Sequence, residues 1–250
     1  MLEFFAIPYS PWSEKARWAL DHHQVPYREH AYQSPIGEPL LRLRLRKWHG
    51  KVSVPVLFDG RESYADSFTI AEYAESVGNG APLFGAARLE RIRSFNEMSE
   101  RALSAGRALA LARVLDDDDA LQELLPKPLR GWSGTAGRCV AAWGVKRVLR
   151  KYDAVDGTLE RHERQLTSVL DEVRATLDAV KPAPGGLRYI LGAFSYADIA
   201  ASQVLQFVSP VKTGSFRIGR ANRFAFGSEA LSLRYRDLLA WRDELYAKHR

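Results

Sequence analysis

A proline stands inside a run that otherwise reads as a β-strand. The run is Val52-Ser53-Val54-Pro55-Val56-Leu57-Phe58, rich in β-branched and aromatic residues. Proline has no N–H to give to a strand ladder, so the middle of a sheet rejects it. A cis Val54–Pro55 bond at a sheet edge, exposing the Val54 backbone to a ligand, reconciles the two. Asp59-Gly60 then supplies a hairpin turn, and Arg61-Glu62-Ser63-Tyr64 a short strand. Ala65-Asp66-Ser67 leads into a helix over Phe68–Val77, where Ile70, Ala71, Ala74 and Val77 share a face.

The start of the chain has the same polar helix opening. Leu2 to Ile7 is apolar and rich in strand formers. After Pro11 the apolar residues Trp12, Ala16, Ala19 and Leu20 fall at i, i+4, i+7 and i+8, one face of a helix. Between them sits Ser10-Pro11: serine is a preferred N-cap, and proline suits the first helical position. The segment therefore reads strand, tight turn, helix, with a hydroxyl at the helix start. Free N–H groups and the positive end of the helix dipole lie there, so the place stabilises an anion such as a thiolate.

Taken in order, strand, Ser-Pro-Trp turn, helix, Val-Pro-Val-Leu, Asp-Gly, and Asp-Ser before a helix resemble the glutathione-binding, thioredoxin-like domain of glutathione S-transferases. The resemblance covers about the first 80 residues. It is strongest to classes with serine or cysteine at the start of the first helix. It implies an α/β thioredoxin-like domain over residues 1–80, followed by an all-helical domain over 88–250.

Composition is compatible with that. A chain of 250 residues has room for two domains. No apolar run approaches the roughly 20 residues of a membrane span, and no secretory leader pattern opens the chain. The single Cys139 excludes an internal disulfide framework and suits a reducing cytosol. His22 and His23 are sequence neighbours that diverge, so no paired ligand spacing emerges and no metal is expected. With 36 basic and 30 acidic residues the net charge is +6, which favours anionic ligands only mildly.

Further along, a second strand is expected over Tyr27–Tyr32 and a loop over Ser34–Pro39. Leu41 to Arg46 alternates with period two, a strand signal. Leucine and arginine are good helix formers and the resemblance places a helix here, so we read a helix. Gly78 to Pro82 closes the first domain, with a linker to about Ala87. Helices are expected over Arg88–Val114, from Ala136, and over Thr158–Val180, whose Leu159, Leu166, Val173 and Val180 are seven apart. Asp116–Asp119 reads as a loop or helix start, and Pro126 and Pro128 as breaks. Ser195 and Asp198 form a capping-box pattern that resembles the family's helical-domain cap. Ser209–Gly227 reads as loop and Ser228–Arg250 as one closing helix.

The resemblance implies glutathione as co-substrate. Ser10 would activate its thiol, while Asp66 and Ser67 would take the γ-glutamyl end. Val54, before Pro55, would pair its backbone with the cysteinyl residue, and Trp12 would form the cleft wall. Members often carry lysine or glutamine two residues before the Val-Pro pair, facing the glycyl carboxylate. That slot is Val52 here, so the role falls to Lys51 or Lys47. Tyr9 also carries a hydroxyl, and the sequence leaves both it and Ser10 as donors. The implied protein is a cytoplasmic homodimer, active in detoxification, that adds glutathione to a small hydrophobic electrophile or peroxide, with no nucleic-acid or membrane partner. Without a cysteine at the helix start it should be a poor disulfide reductase. The alternative is a non-catalytic module of the same fold that binds a protein or RNA through its basic surface.

Overall fold

The computed structural model describes residues 1–34, 36–125, 129, 135–152, 158–214 and 216–250. Pro126 and Pro128, named above, and Pro35 of the expected Ser34–Pro39 loop lie outside the described residues.

Strand β1 (Leu2–Ala6), helix α1 (Pro11–His22) and strand β2 (Tyr27–Ala31) form a βαβ unit with β1 and β2 parallel. Strands β3 (Val56–Asp59) and β4 (Glu62–Ala65) form an antiparallel hairpin, and β3 also pairs antiparallel with β1. The sheet order is β2-β1-β3-β4. This corrects the sequence reading of Pro55: β3 is an interior strand and begins only at Val56, so Pro55 lies just before the ladder, not at a sheet edge. Its missing N–H explains why the strand cannot start sooner.

Side chains alternate across the sheet, as a pleated strand requires. Phe4, Ala6 and Leu57 join the large core with Ala16, Trp18, Ile70 and Ala74 from α1 and α3 (Ser67–Val77). Phe5, Val56 and Phe58 face the other way and pack with Leu41 of α2 (Glu38–Leu45). The period-two segment is therefore a helix, ended by Arg46 in a left-handed conformation at φ 51°. Its arginines serve the domain itself. Arg42 pairs with Glu38 and donates to the Gly50 carbonyl, while Arg44 pairs with Glu3 and lies over the Phe5 and Phe58 rings.

A short 3₁₀ turn (Ala86–Arg88) leads into α4 (Leu89–Leu115), the axis of the helical domain. Around α4 pack α5 (Asp118–Leu124), α6 (Thr135–Lys151), α7 (Leu159–Ala179), α8 (Tyr196–Val204) and α9 (Arg220–Phe226). Helix α5 is capped by Asp117, whose carboxylate accepts from the Ala120 N–H. The Ser195–Asp198 capping box forms and opens α8, every residue of which is buried. Helix α9 was not apparent in the sequence, where it sits in a segment read as loop. The closing helix is two pieces, α10 (Glu229–Arg234) and α11 (Arg236–His249), broken at Tyr235. Tyr235 is fully buried and donates to Asp171 and to the Thr167 carbonyl of α7, so tertiary contacts set the break.

One core runs through both domains. Trp18 of α1 is fully buried, packs edge-on to Tyr246 at 4.5 Å, and donates its indole N–H to the His249 carbonyl. Among the described residues no helix is long and apolar enough to cross a membrane.

Candidate active site

A cleft of about 810 Å³ opens between the two domains. That lies within the range of roughly 300–1,000 Å³ usual for small-molecule sites. Three local features of the first domain border it: the start of α1, the Val54–Pro55 segment and the start of α3.

Ser10 is the N-cap of α1, with φ −94° and ψ 125°. Its Oγ accepts from the Ser13 N–H at 3.4 Å. Ser13 is fully buried and accepts in turn from the Ile7 N–H at 3.1 Å, which ties the end of β1 to the helix start. A hydroxyl that accepts from a cap N–H keeps its own O–H to donate. The Val54–Pro55 bond is cis, and both residues line the cleft.

Asp66 sits at φ 74°, a region that side-chain-bearing residues rarely occupy. Its Oδ1 accepts from the Phe68 and Thr69 N–H groups, and its Oδ2 from the Thr69 hydroxyl. Ser67 follows at the first helical position and is buried. Asp66 and Ser67 thus present a carboxylate, a hydroxyl and a helix start at one end of the cleft.

The opposite wall is one face of α4. Asn96, Glu100, Ser104, Arg107 and Leu111 recur at helical spacing and all border the cleft. Glu100 ties this wall to α1. Its Oε2 accepts from the Trp12 indole N–H, and its Oε1 from Lys15 Nζ, both at 2.5 Å. Lys15 is fully buried, and its ammonium also donates to Asn96 and Ser99. Burial lowers the Lys15 pKa, and the Glu100 carboxylate opposes that shift.

Residues 9–77 match the model of the glutathione S-transferase N-terminal domain. The chain carries a glutathione S-transferase N-terminal domain within a glutathione S-transferase fold. Similar solved structures span both domains. A glutathione transferase from Phanerochaete chrysosporium is 19% identical, with 98% of this chain and 96% of that one covered at a TM-score of 0.64. A glutathione S-transferase from Ceriporiopsis subvermispora, in complex with glutathione, is 16% identical, with 98% and 95% covered at a TM-score of 0.65. One from Methylobacterium radiotolerans, in complex with glutathione sulfonate, is 20% identical, with 99% and 91% covered at a TM-score of 0.58. No curated protein sequence matches the chain.

Within this glutathione S-transferase fold, Ser10, Trp12, Val54, Pro55, Asp66 and Ser67 come together along one cleft. Lys51 does not join them: it is exposed and outside the lining, as is Lys47. Lys151 at the end of α6 does line the cleft, but its ammonium donates to Glu38. Burial works against the charged form of Glu38, yet Arg42 and Lys151 outweigh it and hold the carboxyl below its usual range. Tyr9 also borders the cleft, half-buried and edge-on to Phe226 at 6.0 Å. Among the described residues no group of His, Cys, Asp or Glu is arranged to hold a metal ion.

Sequence reasoning missed the α4 wall, Tyr152 and Arg107. The signal was available: polar residues recur at i, i+3 and i+4 along an otherwise Ala- and Leu-rich helix. Part of the cleft lining is apolar, with Leu124, Trp143, Val148, Phe207 and Phe226.

Proposed function

We propose that this protein is a glutathione transferase in which Ser10 activates the glutathione thiol for attack on a hydrophobic electrophile or a peroxide. The observation that carries this is the position of Ser10. Its hydroxyl lies at a helix start, in the same cleft as the Val54 backbone and the Asp66–Ser67 helix start. The γ-glutamyl carboxylate suits the N–H groups and Ser67 hydroxyl at α3, and the ammonium suits Asp66. Val54 offers main-chain pairing to the cysteinyl residue.

The energies are adequate. Lowering a thiol pKa by two units takes about 2.7 kcal/mol. A hydrogen bond to an anion supplies about 1.5–3 kcal/mol and a helix start about 0.3–1. In the reaction the thiol proton passes to solvent and the sulfur lone pair forms a bond to the electrophilic carbon. The leaving group departs with the electrons of the broken bond. The apolar part of the cleft would receive the electrophile.

The same reading makes the protein a cytoplasmic homodimer acting in detoxification, with domains over residues 1–80 and 88–250. The non-catalytic alternative needs a free basic surface, and Arg42 and Arg44 of the arginine-rich α2 are engaged within the first domain. A titration of the wild-type protein with S-methylglutathione, followed by thermal shift, together with turnover of an aromatic electrophile, tests the proposal. Saturable binding with turnover is expected. No binding at millimolar ligand would sink it, and binding without turnover would favour the non-catalytic module. Light scattering at micromolar protein checks the dimer.

A further inference from the structure

Arg107 stands at the boundary between the polar and apolar halves of the cleft. Toward the start of α4 the lining is Asn96, Glu100 and Ser104, and beyond Arg107 it is Leu111 with Phe207 and Phe226. The guanidinium carbon lies 4.8 Å from the Trp12 ring centroid and 3.9 Å from that of Tyr152. Two aromatic faces steady a cation, but they take none of its N–H bonds. The Arg107 Nε is shut away from solvent and has no hydrogen-bond partner among the described residues.

Nor does a carboxylate among the described residues pair with it. Among the described residues Arg107 makes no ion pair. Glu100 acts on it through space, but both Glu100 oxygens are committed, one to Lys15 and one to Trp12. Burial lowers the Arg107 pKa, yet a guanidinium stays protonated at neutral pH. A cation partly removed from water, flanked by rings and left without an anion among the described residues, is poised to receive one from a ligand. Arginine's planar fork matches a carboxylate in particular.

We propose that the second substrate is an apolar, aromatic electrophile bearing a carboxylate, and that Arg107 selects it by pairing with that carboxylate. The inference rests on the glutathione transferase reading, and adds the charge of the electrophile to it. The aromatic body would lie against Trp143, Val148 and Phe226 while the carboxylate meets Arg107. Trp12 and Tyr152 would then flank the ion pair and exclude water, which strengthens it. Neutral electrophiles of the same shape would leave the guanidinium unanswered and bind more weakly.

The test compares biphenyl-4-carboxylate with biphenyl-4-carboxamide, which share a shape and differ in charge. Affinity for each is measured by calorimetry on the wild-type protein, with and without saturating S-methylglutathione. The carboxylate is expected to bind about tenfold tighter or more, in both conditions. In Arg107→Gln that preference should fall to within about threefold. Should Arg107→Gln fail to fold, Arg107→Lys keeps the charge without the fork and should reduce the preference at least about threefold. No preference in the wild type, or a preference that survives these substitutions, overturns the proposal. So does a preference that vanishes when S-methylglutathione is bound, since Arg107 would then serve the glycyl carboxylate of glutathione. If the wild type binds no S-methylglutathione, the transferase reading fails, and the carboxylate preference measured without it still decides the role of Arg107.

Discussion

Lys15 of α1 and Glu100 of α4 form an ion pair across the domain boundary, with Nζ 2.5 Å from Oε1. The lysine side chain is fully buried and the glutamate 40% exposed, so the pair is asymmetric. Removing the glutamate leaves a buried ammonium with only Asn96 and Ser99, and also takes the acceptor from Trp12. Removing the lysine leaves a carboxylate that reaches water.

Glu100→Ala is therefore expected to destabilise more than Lys15→Met. Breaking a fully buried pair from one side costs about 3–5 kcal/mol, and partial exposure of Glu100 should bring this to about 2–3. Lys15→Met replaces the charge by an apolar chain of similar length and should cost about 1 kcal/mol or less. Urea unfolding of both variants measures the order. An equal or reversed order would show that the pair is not the source of the buried lysine's tolerance.

Gly106 gives a second stability prediction. Alanine is the better helix former by about 1 kcal/mol, so an exposed site would gain from Gly→Ala. Here a Cβ would fall 2.4–2.7 Å from three side-chain atoms of Phe207. That ring is buried and stacks on Phe226, so moving it aside disturbs a second buried ring. Gly106→Ala should destabilise by about 1–3 kcal/mol, the usual range for overpacking. A variant as stable as the wild type in urea would contradict this.

Asp66 caps α3, and the proposed function adds a ligand role to it; two substitutions separate the two. Its carboxylate caps α3 through the Phe68 and Thr69 N–H groups. Asp66→Asn keeps a cap oxygen and the shape of the side chain, so stability should change by less than about 1 kcal/mol. The charge is lost, so affinity for S-methylglutathione should fall about tenfold or more. Asp66→Ala should lose both, with about 1–2 kcal/mol of stability. Ser10→Ala should bind this analogue almost as the wild type does, because its sulfur carries no thiolate. Equal losses of affinity at Asp66 and Ser10 would refute the division of roles.

His249 makes stability depend on pH. Its ring stacks on Phe194 with centroids 3.9 Å apart, and its Nε2 shares a hydrogen bond with the Tyr189 hydroxyl. Burial first, then the nearby Lys248 and His22 charges, lower its pKa from 6.5 to about 4. Between those two values the unfolded chain binds a proton that the folded one does not. The stabilisation is thus complete above about pH 6.5 and is lost as the pH falls toward 4. The ring is partly exposed, so solvent screening reduces the effect, to about 1 kcal/mol at pH 5. His249→Gln should lose less stability than the wild type between pH 7 and pH 5. Parallel losses in the two proteins would remove His249 from the account.

The sequence exposed those parts of the fold that depend on local chemistry. Ser10-Pro11, Asp66-Ser67 and the Ser195–Asp198 box mark helix starts because their side chains bond to neighbouring N–H groups. Pro55 signalled a break in the ladder because it cannot donate, but the sequence placed it within an edge strand, whereas it precedes the interior strand β3. Features set by distant partners did not show. Tyr235 breaks the closing helix through contacts with α7, and nothing in residues 228–250 announces it. Helix α9 is a single short element whose start is held by Glu123, nearly a hundred residues earlier, so its own pattern is weak. Burial of Lys15 and the unanswered charge of Arg107 depend on which face of α4 meets α1, a tertiary property. The six cleft residues read from the sequence come from helix starts and the Val-Pro segment, while Lys51 and Lys47 were named from a family slot that this chain fills with Val52, and both lie outside the cleft lining.

Ser10 and Tyr9 both border the cleft, so under the proposed function the donor to the glutathione thiolate is decided by chemistry rather than by access. Ser10 is the cap itself: its Oγ stands beside the first N–H groups of α1, and its O–H can point to a sulfur held there. Tyr9 precedes the cap, and its ring packs edge-on against Phe226 of α9. Ser10→Ala should cost at most about 1 kcal/mol of capping, since the Ser13 N–H contact is long at 3.4 Å. It should also raise the pKa of bound glutathione by one to two units, which lowers the thiolate fraction at neutral pH about tenfold or more. The pH–rate profile with an aromatic electrophile should accordingly move to higher pH by the same one to two units. Tyr9→Phe keeps the ring and loses only the hydroxyl, so its profile should overlay that of the wild type. Activity lost in Tyr9→Phe and kept in Ser10→Ala would transfer the donor role to the tyrosine. A fall in Ser10→Ala with no shift of the profile would mean that the serine positions glutathione without tuning its thiol.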